Sequence, residues 1–332
     1  MRISLVIPVY RSESFIGDCL LSVLGQLRPV DEIIVVDDCG GDASIDIAVD
    51  VLDGCGIEHS VVRQERNGGV GSARNAGAAS ATGDLIWFLD SDDLADPLFT
   101  TIMAAALEDL DADLAACRTA LVDSDGTSVR IVEPEMASGP VTGERFVQLL
   151  VDGAVRAYPG KHMFRRSVLG DRPWEERRAY EDMVTTARVA LRSRCVALVD
   201  APLYRYRQRA GSISHSVNAN TSFLFDMGAE MDAVIAEIAA GPARRRFARR
   251  FAYREVLIPA AHLAMRAVHA GDDDPVVAGL LARARNQASL ADVVPLLADR
   301  QFRSAVFAFA MSTAPDVYSG ILRHRPEPAL TG

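Results

Sequence analysis

The sequence is almost without lysine: Lys161 is the only one among 332 residues. Arginine supplies nearly all of the positive charge, and the formal net charge is still −10. This acidic balance argues against a protein built mainly to bind nucleic acid. Aromatic residues make up only 6% of the chain, so small aliphatic side chains must fill most of the core.

Cysteine is scarce and long apolar runs are missing. The five cysteines lie far apart, without the close spacing of a zinc ribbon or a redox couple. An odd number of scattered cysteines suits a reducing compartment. No window approaches the run of about 20 apolar residues that spans a membrane, and the apolar run at the N-terminus is too short for a signal peptide. We therefore expect a cytoplasmic protein.

The first third of the sequence alternates between strand and helix patterns. Continuous apolar runs rich in β-branched residues predict buried strands at 3–9 and 32–36, and two further strands are predicted at 57–63 and 85–89. Helical periodicity predicts helices at 13–27, at 42–52 with Asp42 as N-cap, and at 71–81. This alternation predicts an α/β fold with a doubly wound, mostly parallel sheet.

The rest of the sequence divides into an irregular middle part and a helical C-terminal part. Strands are predicted at 114–122, 128–132 and 195–200, and helices at 142–151 and 182–194; the pattern at 158–166 is ambiguous. From about Ser222 onward the pattern is helical throughout. We predict one domain over residues 1–220 and a helical extension over 221–332.

Acidic residues follow the predicted strands where ligands bind in an open parallel sheet. The strand ends carry Pro8-Val9-Tyr10, Asp37-Asp38 and Asp90-Ser91-Asp92-Asp93. In an extended segment Asp90 and Asp92 point the same way, and their carboxylates repel each other unless a cation or a donor lies between them. A hard divalent ion that also binds phosphate oxygens meets that need. The alternative is a solvated acidic turn that caps the next helix, a role that suits Asp93.

A glycine-rich segment, residues 66–77, follows the third predicted strand. Its glycines permit close backbone approach and the N-terminal end of a helix, but their spacing is neither that of a dinucleotide fingerprint nor that of a phosphate loop. Arg74 lies in a helix that otherwise consists of small residues. It needs an anionic partner if it is buried or faces a cleft; alternatively, it extends to solvent.

These segments resemble the family 2 glycosyltransferases in order and spacing. The motifs that carry the resemblance are Pro8-Val9-Tyr10, Val36-Asp37-Asp38, Asn67 to Asn75 and Phe88 to Asp93, within residues 1 to about 215. The resemblance implies a GT-A fold and an inverting single displacement, with a nucleotide-binding half over 1–125 and an acceptor-side half over 126–220. One departure is Cys39-Gly40-Gly41-Asp42, which replaces the family's usual small polar run, but its glycines keep the turn possible.

The resemblance also implies roles for individual residues. The donor-binding residues would be Pro8, Tyr10, Glu13, Asp38, Asn67, Arg74, Asp90, Ser91 and Asp92. Asp38 would accept a hydrogen bond from the base, most naturally uracil, and Asp90 would lie near the ribose. Asp92 would bind a Mn²⁺ or Mg²⁺ ion that bridges the diphosphate and stabilises it as it leaves.

An inverting transfer needs a general base for the acceptor hydroxyl. The resemblance points to the acidic pair before a predicted helix, and we assign Asp182 as the base, with Glu181 as its nearest rival. The helix dipole would keep a carboxylate at this position charged. An ordinary acidic residue in the first turn of a helix is the alternative.

Two further segments have alternative interpretations. Residues 204–215 resemble a segment that closes over the donor in relatives, with Arg209, Ser212 and His215 as candidate donor contacts; alternating arginines are also typical of an exposed edge strand. Trp174 is either an acceptor wall that stacks on a sugar or a core residue.

In the extension, the basic segment 244–251 is compatible with peripheral contact with the inner membrane face, or with a solvated helix face that pairs with acidic residues. A later apolar helix with Phe302, Val306, Phe307 and Phe309 is a candidate for packing on the catalytic domain or for homo-oligomerisation.

Three functions are compatible with these residues. The first is a glycosyltransferase that moves a sugar from a nucleotide donor, with UDP favoured, to a hydroxyl of a glycan, a lipid-linked acceptor or a small molecule. The second is a nucleotidyltransferase that makes the sugar nucleotide, but it needs a Gly-rich basic loop after the first strand, and residues 8–12 are not that loop. The third is a non-catalytic binding protein, which predicts losses among the acids, yet Asp38, Asp90, Asp92 and Asp182 are all present.

Overall fold

The computed structural model describes residues 1–176, 179–208, 217 and 219–323. The chain divides into two compact units, Met1–Arg209 and Ala210–Gly332. The predicted domain boundary at residue 220 stays a prediction.

The first unit contains two β-sheets. Its strands are β1 Ile3–Val9, β2 Glu32–Asp37, β3 Glu58–Arg63, β4 Leu85–Phe88, β5 Leu94–Ala95, β6 Leu114–Ala116, β7 Thr119–Val122, β8 Ser128–Ile131, β9 Gly139–Val141, β10 His162–Arg165, β11 Val196–Leu198 and β12 Tyr204–Arg207. The larger sheet has the order β3-β2-β1-β4-β10-β6-β11-β9, and the smaller has the order β5-β12-β7-β8. Strands β1 to β4 are mutually parallel, and β10 runs antiparallel between β4 and β6.

The helices of the first unit cover both faces of the larger sheet. They are α1 Ile16–Leu24, α2 Ser44–Leu52, α3 Val70–Ser80, α4 Phe99–Asp109, α5 Gly143–Asp152, α6 Arg166–Leu169 and α7 Glu181–Arg192. Alternate residues of β1, such as Leu5 and Ile7, pack in one core with α1, α2 and α4, while Val6 faces α3. Because both faces are buried, β1 consists almost entirely of apolar residues. The predicted doubly wound, mostly parallel sheet is confirmed.

Gly77 allows α3 to approach the sheet. A Cβ atom at Gly77 would lie 2.3 Å from Cγ1 of Val6 and 3.0 Å from Cγ2 of Val36. We expect Gly77→Ala to lower the free energy of unfolding by about 2 kcal/mol, because a packed core tolerates extra volume poorly. In the control Gly17→Ala the new Cβ would meet only Cγ2 of Ile47, at 3.8 Å, so helix propensity predicts a gain of up to about 1 kcal/mol. Urea denaturation measures both, and equal effects would contradict this packing argument.

Several boundaries differ from the prediction for identifiable reasons. The strand predicted at 114–122 is divided into β6 and β7, which belong to different sheets, because Cys117 donates to Lys161 O and Arg118 donates to Ala201 O. The helix predicted from residue 13 begins at Ile16, whose N–H bonds to Ser12 O. The helix predicted from Asp42 begins at Ser44, and Asp42 accepts a hydrogen bond from Ser44 Oγ instead of serving as its N-cap.

The described part of the second unit is helical, as predicted. Its helices are α8 Phe223–Ile238, α9 Gly241–Phe251, α10 Ile258–His269, α11 Pro275–Gln287, α12 Val293–Ala298, α13 Phe302–Thr313 and α14 Pro315–Arg323. A π-helical segment, Ala252–Leu257, connects α9 to α10. Among the described residues, no helix combines the length and apolar character needed to cross a bilayer.

Candidate active site

The loops that follow β1, β2, β3 and β4 meet at the carboxyl edge of the larger sheet. A hydrogen bond of 2.6 Å between the hydroxyls of Ser12 and Ser91 joins the loop after β1 to the loop after β4. Ser91 is buried, and its hydroxyl holds the two loops together through this bond. The backbone is strained at this edge, since the non-glycine residues Arg11 and Cys39 have φ values of 52° and 58°.

The carboxylate of Asp38 holds the glycine-rich loop. Its Oδ1 accepts a hydrogen bond from Gly68 N at 2.7 Å, and its Oδ2 accepts one from Gly69 N at 3.0 Å. The amide of Asn67 donates to Asp38 O at 3.2 Å. Burial raises the pKa of Asp38, although the two N–H donors act against this shift. Asp38 and Asn67 are therefore brought together as predicted, in contacts that also fix the start of α3.

The remaining residues predicted at the nucleotide site lie around the first two loops. Pro8 is buried near the end of β1, whereas Tyr10 is 44% exposed with the guanidinium of Arg11 over its ring at 5.2 Å. Glu13 is exposed and accepts a hydrogen bond from Ala43 N in the loop after β2. The turn at Cys39-Gly40-Gly41 is preserved: a Cβ atom at Gly40 would lie 2.8 Å from Arg11 N, which leaves room only for glycine.

Arg74 is buried and binds three carboxylates. Its Nη2 donates to Asp90 Oδ1 at 2.7 Å, and its Nη1 donates to Glu181 Oε1 at 2.8 Å and to Asp182 Oδ1 at 3.0 Å. Its side chain is only 2% exposed, so the alternative that it extends to solvent is wrong. The guanidinium lies over the ring of Trp174 at 4.7 Å. The structure thus connects the acids after β4 with the acids at the start of α7.

Burial and neighbouring charges shift the pKa values of Arg74 and Asp182. Burial would lower the pKa of Arg74, but the charges of Asp90, Asp182 and Glu181 raise it well above its ordinary value. The pKa of Asp182 is raised well above the ordinary value by burial and by the charge of Glu181, against the attraction of Arg74. We had expected the helix dipole to favour the charged form. The expectation was wrong because burial and neighbouring carboxylates outweigh one helix end.

The loop after β4 separates its three aspartates. Asp90 binds Arg74, Asp92 is partly exposed, and Asp93 is buried. Asp93 accepts hydrogen bonds from the hydroxyl of Tyr204 and from Arg207 N. The interpretation of Asp93 as a cap of the next helix is therefore wrong, since it connects the loop to β12. Burial and the charges of Asp92 and Asp90 raise the pKa of Asp93 well above its ordinary value.

The predicted divalent ion fits the donors at this loop. Among the described residues, no group of three or more His, Cys, Asp or Glu side chains surrounds a metal position. Mg²⁺ and similar ions in nucleotide sites are commonly held by one or two carboxylates together with substrate phosphates. The partly exposed carboxylate of Asp92 matches this arrangement, because the substrate would supply the other oxygens.

Strand β12 begins the segment predicted to close over the donor. It lies between β5 and β7 in the smaller sheet, so the alternative of an exposed edge strand is wrong for residues 204–207. Arg207 is buried, where it donates to Asp18 and to Ser124 O. The predicted donor contacts Arg209, Ser212 and His215 lie outside the described residues, and their roles stay predictions.

The structure also decides the roles of several other side chains. Trp174 is 2% exposed and packs against Phe88, so the acceptor-wall interpretation is wrong. Asn75 donates to Trp174 O at 2.8 Å and accepts from Trp174 N at 3.0 Å; its position in the glycine-rich motif was the only available signal. Lys161 forms a fully buried ion pair with Glu133, and no sequence pattern connects these two residues.

Comparisons with known proteins identify the family of this chain. The profile of the family described as "Glycosyl transferase family 2" matches residues 4–172. The succinoglycan biosynthesis protein ExoO of Rhizobium meliloti (strain 1021) is 30% identical over 272 residues, 80% of this chain and 73% of that protein. EpsH of Bacillus subtilis (strain 168) is 32% identical over 216 residues, 64% of this chain. The chain spans only 62% of the length of EpsH.

A solved structure supports the fold. S. aureus TarS 1–349 in complex with UDP-GlcNAc superposes with a TM-score of 0.65 and 19% identity, over 93% of this chain and 90% of that one. The similarity includes the mostly parallel sheet and extends over the helical C-terminal part, and it confirms the predicted GT-A fold. Together with the match of the family profile over half of the residues, it leads to one conclusion: this chain belongs to glycosyl transferase family 2.

Proposed function

We propose that this protein is an inverting, divalent-metal-dependent glycosyltransferase that moves a sugar from a nucleotide-diphosphate donor to a hydroxyl acceptor. The observation that carries the proposal is the connection of Asp182 to Asp90 through one buried arginine. This contact brings a candidate general base next to the acids of the donor loop, as a single displacement requires, because base, acceptor oxygen and sugar carbon must meet at one point.

The proposed reaction assigns separate tasks to the residues of the site. Asp182 accepts the proton of the acceptor hydroxyl while the acceptor oxygen attacks the anomeric carbon. The bond from that carbon to the diphosphate oxygen breaks, and its electron pair leaves with the diphosphate. Asp38 and Asn67 would position the nucleotide, and Asp92 would hold the divalent ion. When bound, Mn²⁺ or Mg²⁺ offsets the charge that grows on the leaving diphosphate.

UDP is the favoured nucleotide. A carboxylate at the position of Asp38 suits the N3–H donor of uracil, and burial keeps it away from competing water. The structural relative TarS was solved with UDP-GlcNAc, and this supports a UDP-sugar for this chain as well. The acceptor class is a hydroxyl of a glycan, a lipid-linked glycan or a small molecule.

The test of this proposal is a screen of UDP-, GDP- and dTDP-sugars with Mn²⁺, read by thermal stabilisation and by slow hydrolysis of the donor. We expect the UDP series to give the largest shift, and the same series with EDTA to give little. A protein that responds to no donor would contradict the proposal. A preference for GDP or dTDP would leave the transferase reaction standing and remove only the assignment of Asp38 to uracil.

The two alternative functions make different predictions in the same screen. A nucleotidyltransferase releases diphosphate from a nucleoside triphosphate and a sugar phosphate, so it would turn over UTP with a sugar 1-phosphate. A non-catalytic binding protein would be stabilised by UDP-sugars without hydrolysing them or transferring the sugar. The connection of Asp182 to Asp90 through Arg74 favours the transferase over both.

The pH dependence of turnover tests Asp182 as the base. Turnover requires ionised Asp182, so its raised pKa places the acid limb of kcat above the range of an ordinary aspartate. Burial, Glu181 and Asp90 oppose its ionisation, whereas Arg74 favours it. We expect Glu181→Gln to shift this limb to lower pH, because one opposing charge is lost. The exposed control Glu176→Gln should leave it in place, and a limb that stays fixed in both variants would contradict the assignment.

The basic segment of the C-terminal unit forms ion pairs with acidic residues of the same unit. In the basic segment 244–251, Arg244 pairs with Asp232, and Arg246 and Arg249 pair with Asp299. These ion pairs support the solvated-face interpretation of the segment over membrane contact. Phe302, Val306 and Phe309 form an exposed stripe of α13, whereas Phe307 is buried, so homo-oligomerisation stays a prediction for that stripe.

A further inference from the structure

Arg74 connects three elements of the first unit through ion pairs. It extends from α3 to the loop after β4 through Asp90, and to the start of α7 through Glu181 and Asp182. We call these four residues the Arg74 bridge. The carboxylates of Asp90 and Asp182 keep 27% and 32% of their side-chain surface exposed, while Glu181 keeps only 4%. The bridge thus has one buried acid and two acids that reach the open part of the site.

The binding capacity of the guanidinium is largely taken up by the protein itself. Nη1 serves two carboxylates and Nη2 serves a third. Trp174 lies against one face of the guanidinium, and among the described residues Nε is buried without a hydrogen-bond partner. Three carboxylates already bind the two terminal nitrogens of the guanidinium, so a phosphate that approached Arg74 would have to displace one of them. These contacts do not suit a phosphate ligand.

Contacts around the Arg74 bridge hold the segment before α7 against α3. Asn75, the next residue of α3, forms two hydrogen bonds with the backbone of Trp174. A Cβ atom at Gly71 would lie 2.0 Å from Glu175 O, so the first turn of α3 packs directly against residues 174–175. Tyr180, immediately before α7, has a φ of 66°. A strained residue is retained where surrounding contacts determine the backbone, and here it aims two consecutive acids at Arg74.

We infer that Arg74 is a positioning residue that fixes the general base relative to the donor site, and that Glu181 is the buried counter-charge that holds Arg74. The inference rests on the proposed function, since it takes Asp182 as the base. It departs from the role that the family resemblance implies, in which Arg74 faces the nucleotide. The bridge sets the distance between Asp182 and Asp90, and therefore the distance between the acceptor oxygen and the sugar carbon.

The first experiment separates positioning from donor binding. In Arg74→Lys the charge stays, but a single ammonium group cannot span acids on two elements. We expect kcat to fall by about 100-fold, because a catalytic group that is misplaced by about 1 Å costs about that much in rate. The dissociation constant of UDP with Mn²⁺ should change by less than about threefold. The control is Arg28→Lys, which alters an arginine before β2, at the opposite end of the sheet. If UDP affinity falls as much as kcat, Arg74 is a donor ligand and the inference is overturned.

A double-mutant cycle tests whether Arg74 acts through the base. In the Asp182→Asn background, Arg74→Lys should lower the remaining turnover by less than about threefold, because two residues that work as one unit give non-additive losses. If the rate losses of the two single variants multiply in the double variant, Arg74 acts independently of Asp182 and the inference is overturned. Turnover is measured as hydrolysis of the donor that stabilises the wild type most in the nucleotide-sugar screen.

A second cycle needs no substrate and stays informative if the proposed function fails. Arg74→Gln and Glu181→Gln should show non-additive losses in the urea denaturation midpoint, because both remove the same buried ion pair. Additive losses would show that Glu181 does not hold Arg74, which overturns the bridge. Wild-type protein that binds no nucleotide would refute the proposed function by itself, and the outcome of this cycle would still decide whether the bridge exists.

Discussion

Asp182→Asn is expected to reduce sugar transfer by about 10³-fold while the affinity for UDP with Mn²⁺ stays close to that of the wild type. A general base contributes about 10² to 10⁴ to a rate, and asparagine cannot accept the proton of the acceptor hydroxyl. The amide oxygen of asparagine can still accept a hydrogen bond from Nη1 of Arg74, so the bridge between α3 and α7 should survive. Donor binding uses other residues and should not change.

Single-turnover transfer and calorimetric titration with UDP measure these two effects separately. The matched control is Asp46→Asn, which changes an exposed aspartate in the first turn of α2. This variant tests the ordinary role of an acid near the start of a helix. It should change neither sugar transfer nor the affinity for UDP. An active Asp182→Asn enzyme would transfer the role of base to another group, and Glu181→Gln would then be the next variant to examine.

Asp92→Asn is expected to remove metal-dependent nucleotide binding. The amide has the shape of the carboxylate but lacks its charge, and Asp92 is the protein carboxylate proposed to hold the ion. Loss of an outer-shell partner of a metal costs about 10- to 100-fold in affinity, so loss of the ligand itself should cost at least about 100-fold. Titration of UDP with Mn²⁺ and with EDTA measures the metal-dependent part. In the variant the two affinities should be equal.

The control for this variant is Asp125→Asn, which changes an exposed aspartate in the turn between β7 and β8. It should keep the full effect of Mn²⁺. Asp90→Asn is the informative neighbour, because Asp90 is bound to Arg74. If Asp90→Asn loses the metal effect and Asp92→Asn keeps it, the metal ligand is Asp90, and the assignment of Asp92 is wrong.

The sequence predicted the nucleotide half of the fold in detail because each element there carries its own signal. A strand buried on both faces needs a continuous apolar run, and β1 was predicted with its observed bounds, Ile3–Val9. Asp38, Asp90 and Asp92 follow such strands, and parallel strands bring their carboxyl ends to one edge. The middle part was predicted less well, because β10 and β12 are short and take their places between strands that are distant in sequence.

Burial and partners could not be derived from the sequence in the same way. Arg74 was left open between an anionic partner and solvent, and only the packing of α3 against residues 174–175 decides that it is buried. The ionisation of Asp182 was predicted in the wrong direction. The helix start is a local feature and visible in the sequence, whereas burial and the charge of Asp90, a residue far away in the chain, are not.

The sequence by itself therefore determined the family, the order of strands and helices in the first third, and the edge of the sheet at which the acids lie. Local periodicity and motif spacing depend only on neighbouring residues, and they are readable without coordinates. The tertiary structure decided which acids share Arg74, that Asp93 binds β12 and does not cap a helix, and that Trp174 is a core residue. Those outcomes depend on contacts between segments about 100 residues apart, where one or two ångströms separate a salt bridge from a solvated charge.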